Sequence, residues 1–225
     1  MLAGSALRAF LLIGLLGVVI YLLFLRPFRG EVLPSLIITV AVAGMIESSA
    51  YLGFGPFDKS IPPLSTSVTK VFGAAVSIER LIVGASSLTL ICLLFAFLNR
   101  TKLGTAMRAV VQDEIAASVQ GVRPERIFIF GMFISSGLVG IAGGLMAPIV
   151  GVFPSSGHEP LIMAFIVMIL GGLGSVQGSL LAAFIIGFVT SFGSTYLGGQ
   201  IAILLTWAIL ILVLIFKPRG LIPVE

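Results

Sequence analysis

The side chains that could carry out chemistry are few, and they lie far apart in this 225-residue chain. There is one cysteine, Cys92, one histidine, His158, and nine carboxylates that show no metal-ligand spacing. A nucleophilic site needs a base beside the nucleophile, and a zinc site needs three or four close ligands. The pattern G-x-x-x-x-G-K-[ST], which cradles ATP phosphates, does not occur either. The sequence therefore predicts no catalytic residues, no metal and no cofactor.

One carboxylate, Glu47, lies inside an apolar run. A carboxylate within a membrane is energetically costly, and the carboxylates that do occur there usually serve a function. Glu47 is therefore a candidate for a solute pathway. The run ends soon afterwards with Ser48, Ser49 and Tyr51. The alternative is therefore that Glu47 reaches water or a lipid headgroup at the outer end of its helix. His158, in the short segment PSSGHE, is interpreted as a solvated loop residue.

The elements that must position these residues are membrane spans. Hydrophobic residues make up 58% of the chain and charged residues only 10%, against about 25% charged in soluble domains. The 57 residues from Pro160 to Phe216 contain no charged residue and no histidine, and a span needs about 20 apolar residues. The net charge is +4, and the basic residues cluster at the ends of apolar runs. This distribution predicts that the chain lies in a lipid bilayer and does not bind nucleic acid.

The spans are predicted to be helices, because backbone groups in lipid must be satisfied internally and no alternating pattern indicates a barrel. Four apolar runs precede the long tract: Ala9–Leu25, Leu33–Leu52, Leu81–Leu98 and Ile127–Ala147. Nine of the 13 basic residues lie inside if residues 26–29, 99–126 and 217–219 are cytoplasmic. The two ends of the long tract then lie on opposite sides of the membrane, so the tract crosses the membrane an odd number of times. The sequence predicts about seven spans, with the N-terminus outside and the C-terminus inside.

Glycine-rich interruptions divide the long tract at GGLGS, residues 171–175, and at FGSTYLGG, residues 192–199. Only 11 residues, Pro160–Leu170, precede the first interruption, and as a helix they reach about 16 Å. One interpretation is a helix break beside the translocation pathway, as in transporters with discontinuous helices. It would be formed by Gly171, Gly172, Gly174 and Ser175. The other is a tight cytoplasmic turn between two tilted helices.

The most polar segment, Asn99–Arg126, holds eight of the chain's 22 charged residues. Apolar residues recur in it at helical spacing, at Leu103, Ala106, Met107, Val110, Val111, Ile115 and Val119. The pattern predicts one helix that Thr105 caps and Gly121 ends. We expect its apolar stripe to rest on the membrane bundle and its polar side to face the cytosol. Its role is then either a docking helix for a soluble partner or a connector without one.

Four motifs resemble those of the branched-chain amino acid ABC transporter permeases, in particular the first-type permease subunit. The polar segment resembles the family's coupling loop, T-x-x-G-x-x-x-R-A followed by an acidic residue and A-x-x-x-G. The corresponding residues here are Thr101, Gly104, Arg108, Ala109, Asp113, Ala117 and Gly121. The other three motifs are RPFRG at residues 26–30, ILGGLGSVQGSLL at 169–181 and LILVLIFKPRGL at 210–221. All four occur in the family's order and spacing.

The resemblance implies an all-α polytopic bundle with discontinuous or short helices and one cytoplasmic coupling helix, a single permease domain over residues 1–225. It implies docking of an ATPase at Arg108, Asp113, Glu114, Ala117 and Gly121. Family members carry upstream spans with an N-F-A-H-G-like motif, so the chain is expected to be truncated at its N-terminus. Ala182 and Ala183 also stand where the family often has glycines.

The function that the resemblance implies is that of a permease subunit of an importer in the inner membrane. Its partners would be a second homologous permease, two cytoplasmic ATP-binding subunits and an external solute-binding protein. The solute would be a branched-chain amino acid or a similar small polar molecule, such as urea or a short amide. The alternative is a self-contained secondary transporter or channel. An intramembrane enzyme is excluded because the chain lacks a catalytic set.

Overall fold

The chain folds almost entirely into helices. The computed structural model describes residues 2–28, 31–55, 57, 68–71, 74–172, 174–217 and 220–221. The α-helices in these ranges are α1 (Leu2–Ile20), α2 (Val32–Phe54), α3 (Ile78–Arg100), α4 (Lys102–Gln112), α5 (Glu114–Val119), α6 (Pro124–Val150), α7 (His158–Gly171), α8 (Val176–Tyr196) and α9 (Gly199–Phe216). The predicted all-α class is confirmed. A small antiparallel hairpin, β1 (Val68–Val71) with β2 (Ala74–Ser77), was not predicted.

Six of the described helices are long and apolar enough to cross a membrane: α1, α2, α3, α6, α8 and α9. The first extends beyond its apolar run, because the helical path continues through a π-helical segment, Tyr21–Leu25, and a 3-10 turn, Arg26–Phe28. The seventh apolar helix, α7, has only 14 residues, which corresponds to about 21 Å. These helices confirm a multi-pass bundle of about seven apolar helices that includes a short one.

Two compact units make up the chain, Met1–Ser155 and Ser156–Glu225. In the first unit, α1 and α6 are antiparallel and approach closely through glycines. A Cβ atom on Gly14 would lie 2.9 Å from the Phe133 ring, and one on Gly137 would lie 2.6 Å from the Phe10 ring. Small residues therefore let these two helices pack at short range, as is common in membranes.

An ion pair joins the 3-10 turn that follows α1 to the first turn of α6. Arg26 Nη2 lies 2.5 Å from Glu125 Oε1, and both side chains are about half exposed. An exposed ion pair contributes only about 0–1 kcal/mol to the free energy of unfolding. The pair is therefore informative about which segments are neighbours rather than about stability. It places Arg26 beside the start of α6.

In the second unit, α7, α8 and α9 pack around their own core. Five buried residues form it: Ile166, Leu170, Ala182, Ile186 and Leu210. Thr206 on α9 is completely buried, and its hydroxyl donates to the Ala202 carbonyl at 3.0 Å. The predicted interruption at residues 192–199 narrows to a turn at Leu197 and Gly198, where Gly198 has φ +94°.

Candidate coupling site

The polar segment between α3 and α6 forms two helices rather than the single helix predicted. The first, α4, begins two residues after Arg100 and is capped by Thr101, not by Thr105 as predicted. Thr101 Oγ1 accepts from the Gly104 N–H at 3.0 Å and donates to the Phe97 carbonyl at 2.7 Å. Thr101 has the extended backbone of an N-cap, whereas Thr105 lies inside the helix and its hydroxyl donates back to the Thr101 carbonyl.

The break between the two helices lies at Asp113, whose backbone is extended at φ −154° and ψ 107°. Its Oδ1 atom accepts hydrogen bonds from the N–H groups of Ile115 and Ala116, both at 2.9 Å. Aspartate is among the strongest N-cap residues because its carboxylate satisfies amides that a helix start leaves without partners. The apolar pattern continued across this position, so the periodicity alone predicted an unbroken helix.

The second helix, α5, ends at Val119, and Gly121, which was predicted to stop the helix, follows its C-cap Gln120. Gly121 has φ +86°, a conformation that glycine adopts without the steric penalty of a Cβ atom. Its N–H donates to the Ser118 carbonyl at 3.0 Å, and the Val122 N–H donates to the Ala117 carbonyl at 3.1 Å. This pair of bonds is the Schellman arrangement, which closes a helix and redirects the chain, here toward α6.

A small core joins α4, α5 and α6. Val110, Ala117 and Ile127 are buried in it, one from each helix. Ala117 is only 4% exposed, so this predicted docking residue packs within the chain. A larger side chain at Ala117 would separate α5 from α6.

The predicted apolar stripe divides into two parts. Ala106, Met107 and Val110 pack against the core. The expectation that the whole stripe rests on the bundle is wrong for Val111, Ile115 and Val119, which are 65%, 77% and 83% exposed. The bend at Asp113 turns α5 away from the line of α4, so Ile115 and Val119 no longer share a face with Val110. Val111 lies on α4 itself, before the bend, and its exposure is not a result of the bend.

Two further contacts fix α4 against the end of α3. A Cβ atom on Gly104 would lie 2.5 Å from the Leu98 Cα and carbonyl oxygen, so the helices touch backbone to backbone. Arg108 Nη1 donates to Asn99 Oδ1 at 2.9 Å. Asn99 was missed by sequence reasoning; its only signal was a position nine residues before Arg108, at the end of an apolar run. Arg108, Asp113, Glu114 and Gly121 are all exposed.

The glycine-rich interruption after α7 is a tight turn closed by a cap. Gly172 and Gly174 have φ values of +103° and +86°, and Ser175 Oγ accepts from the Gly178 N–H at 3.1 Å. The backbones of Gly171 and α8 are in contact, because a Cβ atom on Gly171 would lie 2.5 Å from the Ser179 Cα. The helix α7 therefore ends at Gly171, and a role of these four residues beside a pathway stays a prediction.

The C-terminal segment packs onto this same turn. The Leu221 N–H donates to the Leu170 carbonyl at 2.9 Å, and a Cβ atom on Gly220 would lie 2.4 Å from the Gly172 Cα. The turn thus lies at the end of the unit where Lys217 leaves α9. Pro218 and Arg219 of the closing motif lie outside the described residues, as do Arg29 and Gly30.

The remaining candidate, Glu47, is partly buried on α2. One turn later, the Tyr51 hydroxyl lies 3.5 Å from Ser155 Oγ, beyond the end of α6. Across the described ranges, no group of three or more histidine, cysteine, aspartate or glutamate residues could hold a metal ion. The pathway role of Glu47 stays a prediction.

The fold and this segment define a multi-pass α-helical membrane protein with an ordered polar segment between two spans. Its residues 1–216 match the family model described as branched-chain amino acid transport system / permease component. Because the match covers nearly the whole chain, the chain belongs to this family.

Named relatives agree with the family. The chain is 27% identical over 205 residues to the high-affinity branched-chain amino acid transport system permease protein BraD of Pseudomonas aeruginosa, covering 88% of this chain and 66% of BraD. It is 26% identical over 204 residues to the corresponding LivH protein of Escherichia coli K12, with the same coverage of each chain. A probable LivH of Methanocaldococcus jannaschii is 30% identical over 139 residues, which are 59% of this chain and 44% of that protein.

The chain thus spans slightly less than two thirds of the length of BraD and LivH. No solved structure matches it.

Proposed function

We propose that this chain is the transmembrane permease subunit of an ATP-driven importer for branched-chain amino acids or similar small polar solutes. The observation that carries the proposal is the ordered polar segment α4–α5 in a chain of this permease family. A connector needs only to span the gap between α3 and α6. This segment instead has two capped helices, its own small core and a large exposed surface, which supports a role in contact with a partner.

The partners we propose are a second homologous permease, two cytoplasmic ATP-binding subunits and an external solute-binding protein. The names of the relatives, as transport system permease proteins, support a multi-component assembly. ATP hydrolysis would then occur on the partner chains, and this chain would be a transport subunit rather than an enzyme.

The docking segment in this proposal is α4–α5, with Arg108, Asp113, Glu114, Ala117 and Gly121 as its characteristic residues. Glu114 and the apolar residues Ile115 and Val119 are exposed on α5. Ala117 and Gly121 would serve the site through shape, since Ala117 seats α5 on the core and Gly121 ends it. ATP-driven closure of the ATPase would push on this segment, and the short connections to α3 and α6 would carry the displacement into the membrane.

The pathway residues that we propose are Glu47 and the turn formed by Gly171, Gly172, Gly174 and Ser175. The turn supports the proposal by its close backbone contacts, because a rigid, tightly packed element beside a pathway can move as one body. For Glu47 the support is the general rule that carboxylates within spans are retained for function.

The competing function, a secondary transporter or channel, differs from the proposed importer in the source of energy that drives uptake. Uptake of labelled leucine should be measured in right-side-out sealed vesicles that contain this chain with its partner ATPases, enclose ATP and receive the binding protein from outside. We expect uptake to need ATP and to persist when an ionophore collapses the ion gradients. Uptake that the ionophore stops, and that does not need the ATP-binding subunits, would establish the alternative.

The orientation follows from the basic residues, nine of which lie inside when α4–α5 is cytoplasmic. We propose a location in the inner (plasma) membrane with the C-terminus in the cytoplasm. A reporter that is active only in the cytoplasm, fused after Glu225, should be active. Activity of the complementary reporter, which works only outside the membrane, would contradict this topology.

A further inference from the structure

We propose that Asp113 is a positioning residue whose carboxylate sets the angle between α4 and α5, and that it acts through this cap rather than by pairing with a charge on the ATPase. The inference rests on the proposed function, because it assigns how the docking segment is held in shape. It replaces a direct electrostatic role for Asp113 with an intramolecular one.

The bend between α4 and α5 is centred on Asp113. Asp113 belongs to both helices through its backbone, since its N–H donates to the Ala109 carbonyl and its own carbonyl accepts from the Ala117 N–H, both at 3.0 Å. Only its extended φ and ψ angles turn the chain. The two bonds from Oδ1 to the Ile115 and Ala116 amides hold that conformation. A single oxygen atom therefore fixes the bend.

Both helices that meet at the bend, α4 and α5, are held by contacts away from Asp113. Gly104 sits backbone to backbone against Leu98 of α3, and Ala117 is buried against Val110 and Ile127. With both arms seated, the angle at Asp113 decides where the exposed residues of α5 point. A change in that angle would move Ile115 and Val119 away from a partner surface without unfolding either helix.

Arg108, the basic residue that the family motif marks, already donates to Asn99 within the chain. The motif's acidic and basic residues thus both have structural partners in α3, α4 or α5. Neither requires a complementary charge on another protein to account for its presence.

The test separates the cap from the charge by substituting Asp113 in vesicles that contain the full chain and its partner subunits. Asp113→Asn removes the charge and keeps the oxygen that accepts, and Asp113→Ser also keeps an acceptor. Asp113→Ala removes the cap. The control is Arg123→Gln, which removes an exposed charge outside α4–α5 and should leave the readout unchanged. The primary readout is the number of ATP molecules hydrolysed per solute taken up.

We expect the Asn and Ser variants to keep this ratio within about twofold of the unsubstituted chain, because Asn, Ser and Asp are similar N-caps. The Ala variant should hydrolyse more ATP per solute, and its Ile115 and Ala116 amides should exchange hydrogen roughly fivefold faster. If Ala prevents insertion, the Asn and Ser variants still decide the matter. Loss of coupling in both Asn and Ser variants would overturn the proposal and restore a direct charge contact.

The amide-exchange measurement also distinguishes this inference from the function on which it rests. If the unsubstituted chain with its partners showed no ATP-dependent uptake, the proposed function would fail. Slow exchange in the Asn variant with fast exchange in the Ala variant would still establish the cap. Equal exchange in all variants would remove the cap, whatever the transport result.

Discussion

Replacing Gly171 with leucine should prevent the second unit from assembling and so abolish uptake. The backbone of Gly171 lies so close to α8 that a Cβ atom would be 2.5 Å from both the Gly178 carbonyl carbon and the Ser179 Cα. These are backbone atoms of a helix, which cannot rotate aside as a flexible side chain can. We expect the level of folded protein in the membrane to fall at least tenfold, measured by quantitative immunoblotting and by retention of a single peak on size-exclusion chromatography in detergent.

The matched control is Gly187→Leu on α8, where an added Cβ atom meets nothing within 4 Å. This variant adds the same apolar side chain to the same three-helix unit, so it should leave the folded protein near its normal level. Gly172→Leu should resemble Gly171→Leu, because Gly172 has φ +103° and an L side chain is strained there. Normal folding and uptake of Gly171→Leu would show that the close approach of α7 and α8 is not required.

The spans could be predicted from the sequence because hydrophobicity in a membrane is decided by long, continuous runs. The run Leu33–Leu52 became α2, Val32–Phe54, with a difference of two residues at its far end. Helix ends within the long tract were also predictable, since glycines that can take positive φ, such as Gly172 and Gly198, mark them.

The interior of the polar segment could be predicted only in part. Gly121 has one physical role, and the sequence placed it correctly at the end of a helix. Asp113 has two possible roles in a helical pattern, as a solvent-facing residue within the helix or as a cap that starts a new one. The choice depends on whether α5 can bury Ala117 against α6, which is a tertiary contact that periodicity does not encode.

Contacts between segments distant in sequence were beyond prediction. In the structure the C-terminal segment returns to the end of α7, where the Leu221 N–H donates to the Leu170 carbonyl. The local sequence around Gly220 does not indicate this contact. The Arg108–Asn99 hydrogen bond depends likewise on how α4 folds back over the end of α3. The family motif marked Arg108 but did not supply its partner.

Six of the seven motif residues in the coupling segment, all but Ala109, have a structural role described above. Thr101 caps α4, Gly104 allows contact with α3, and Ala117 fits the core beside α6. The motif therefore describes how the segment is built. It follows that the surface offered to a partner is to be sought among the exposed residues of α5, which the motif leaves unspecified at Ile115 and Val119.

The central claim, that α4–α5 docks a cytoplasmic ATPase, is tested most directly by photo-crosslinking. A photo-reactive amino acid should replace Val119, which is 83% exposed on α5, in cells that also produce the ATP-binding subunits. The control position is Leu52, which is 91% exposed on the predicted span α2. Irradiated membranes are then analysed by mass spectrometry for the chain to which each product is joined.

We predict a product between Val119 and an ATP-binding subunit, and none between Leu52 and that subunit. A reach of a few ångströms limits the reaction to side chains in contact, so the product requires docking at α5. The contrary result is a protein that retains ATP-dependent uptake while Val119 gives a product with lipid or no product at all. That result would contradict docking at this segment and leave α4–α5 as a connector.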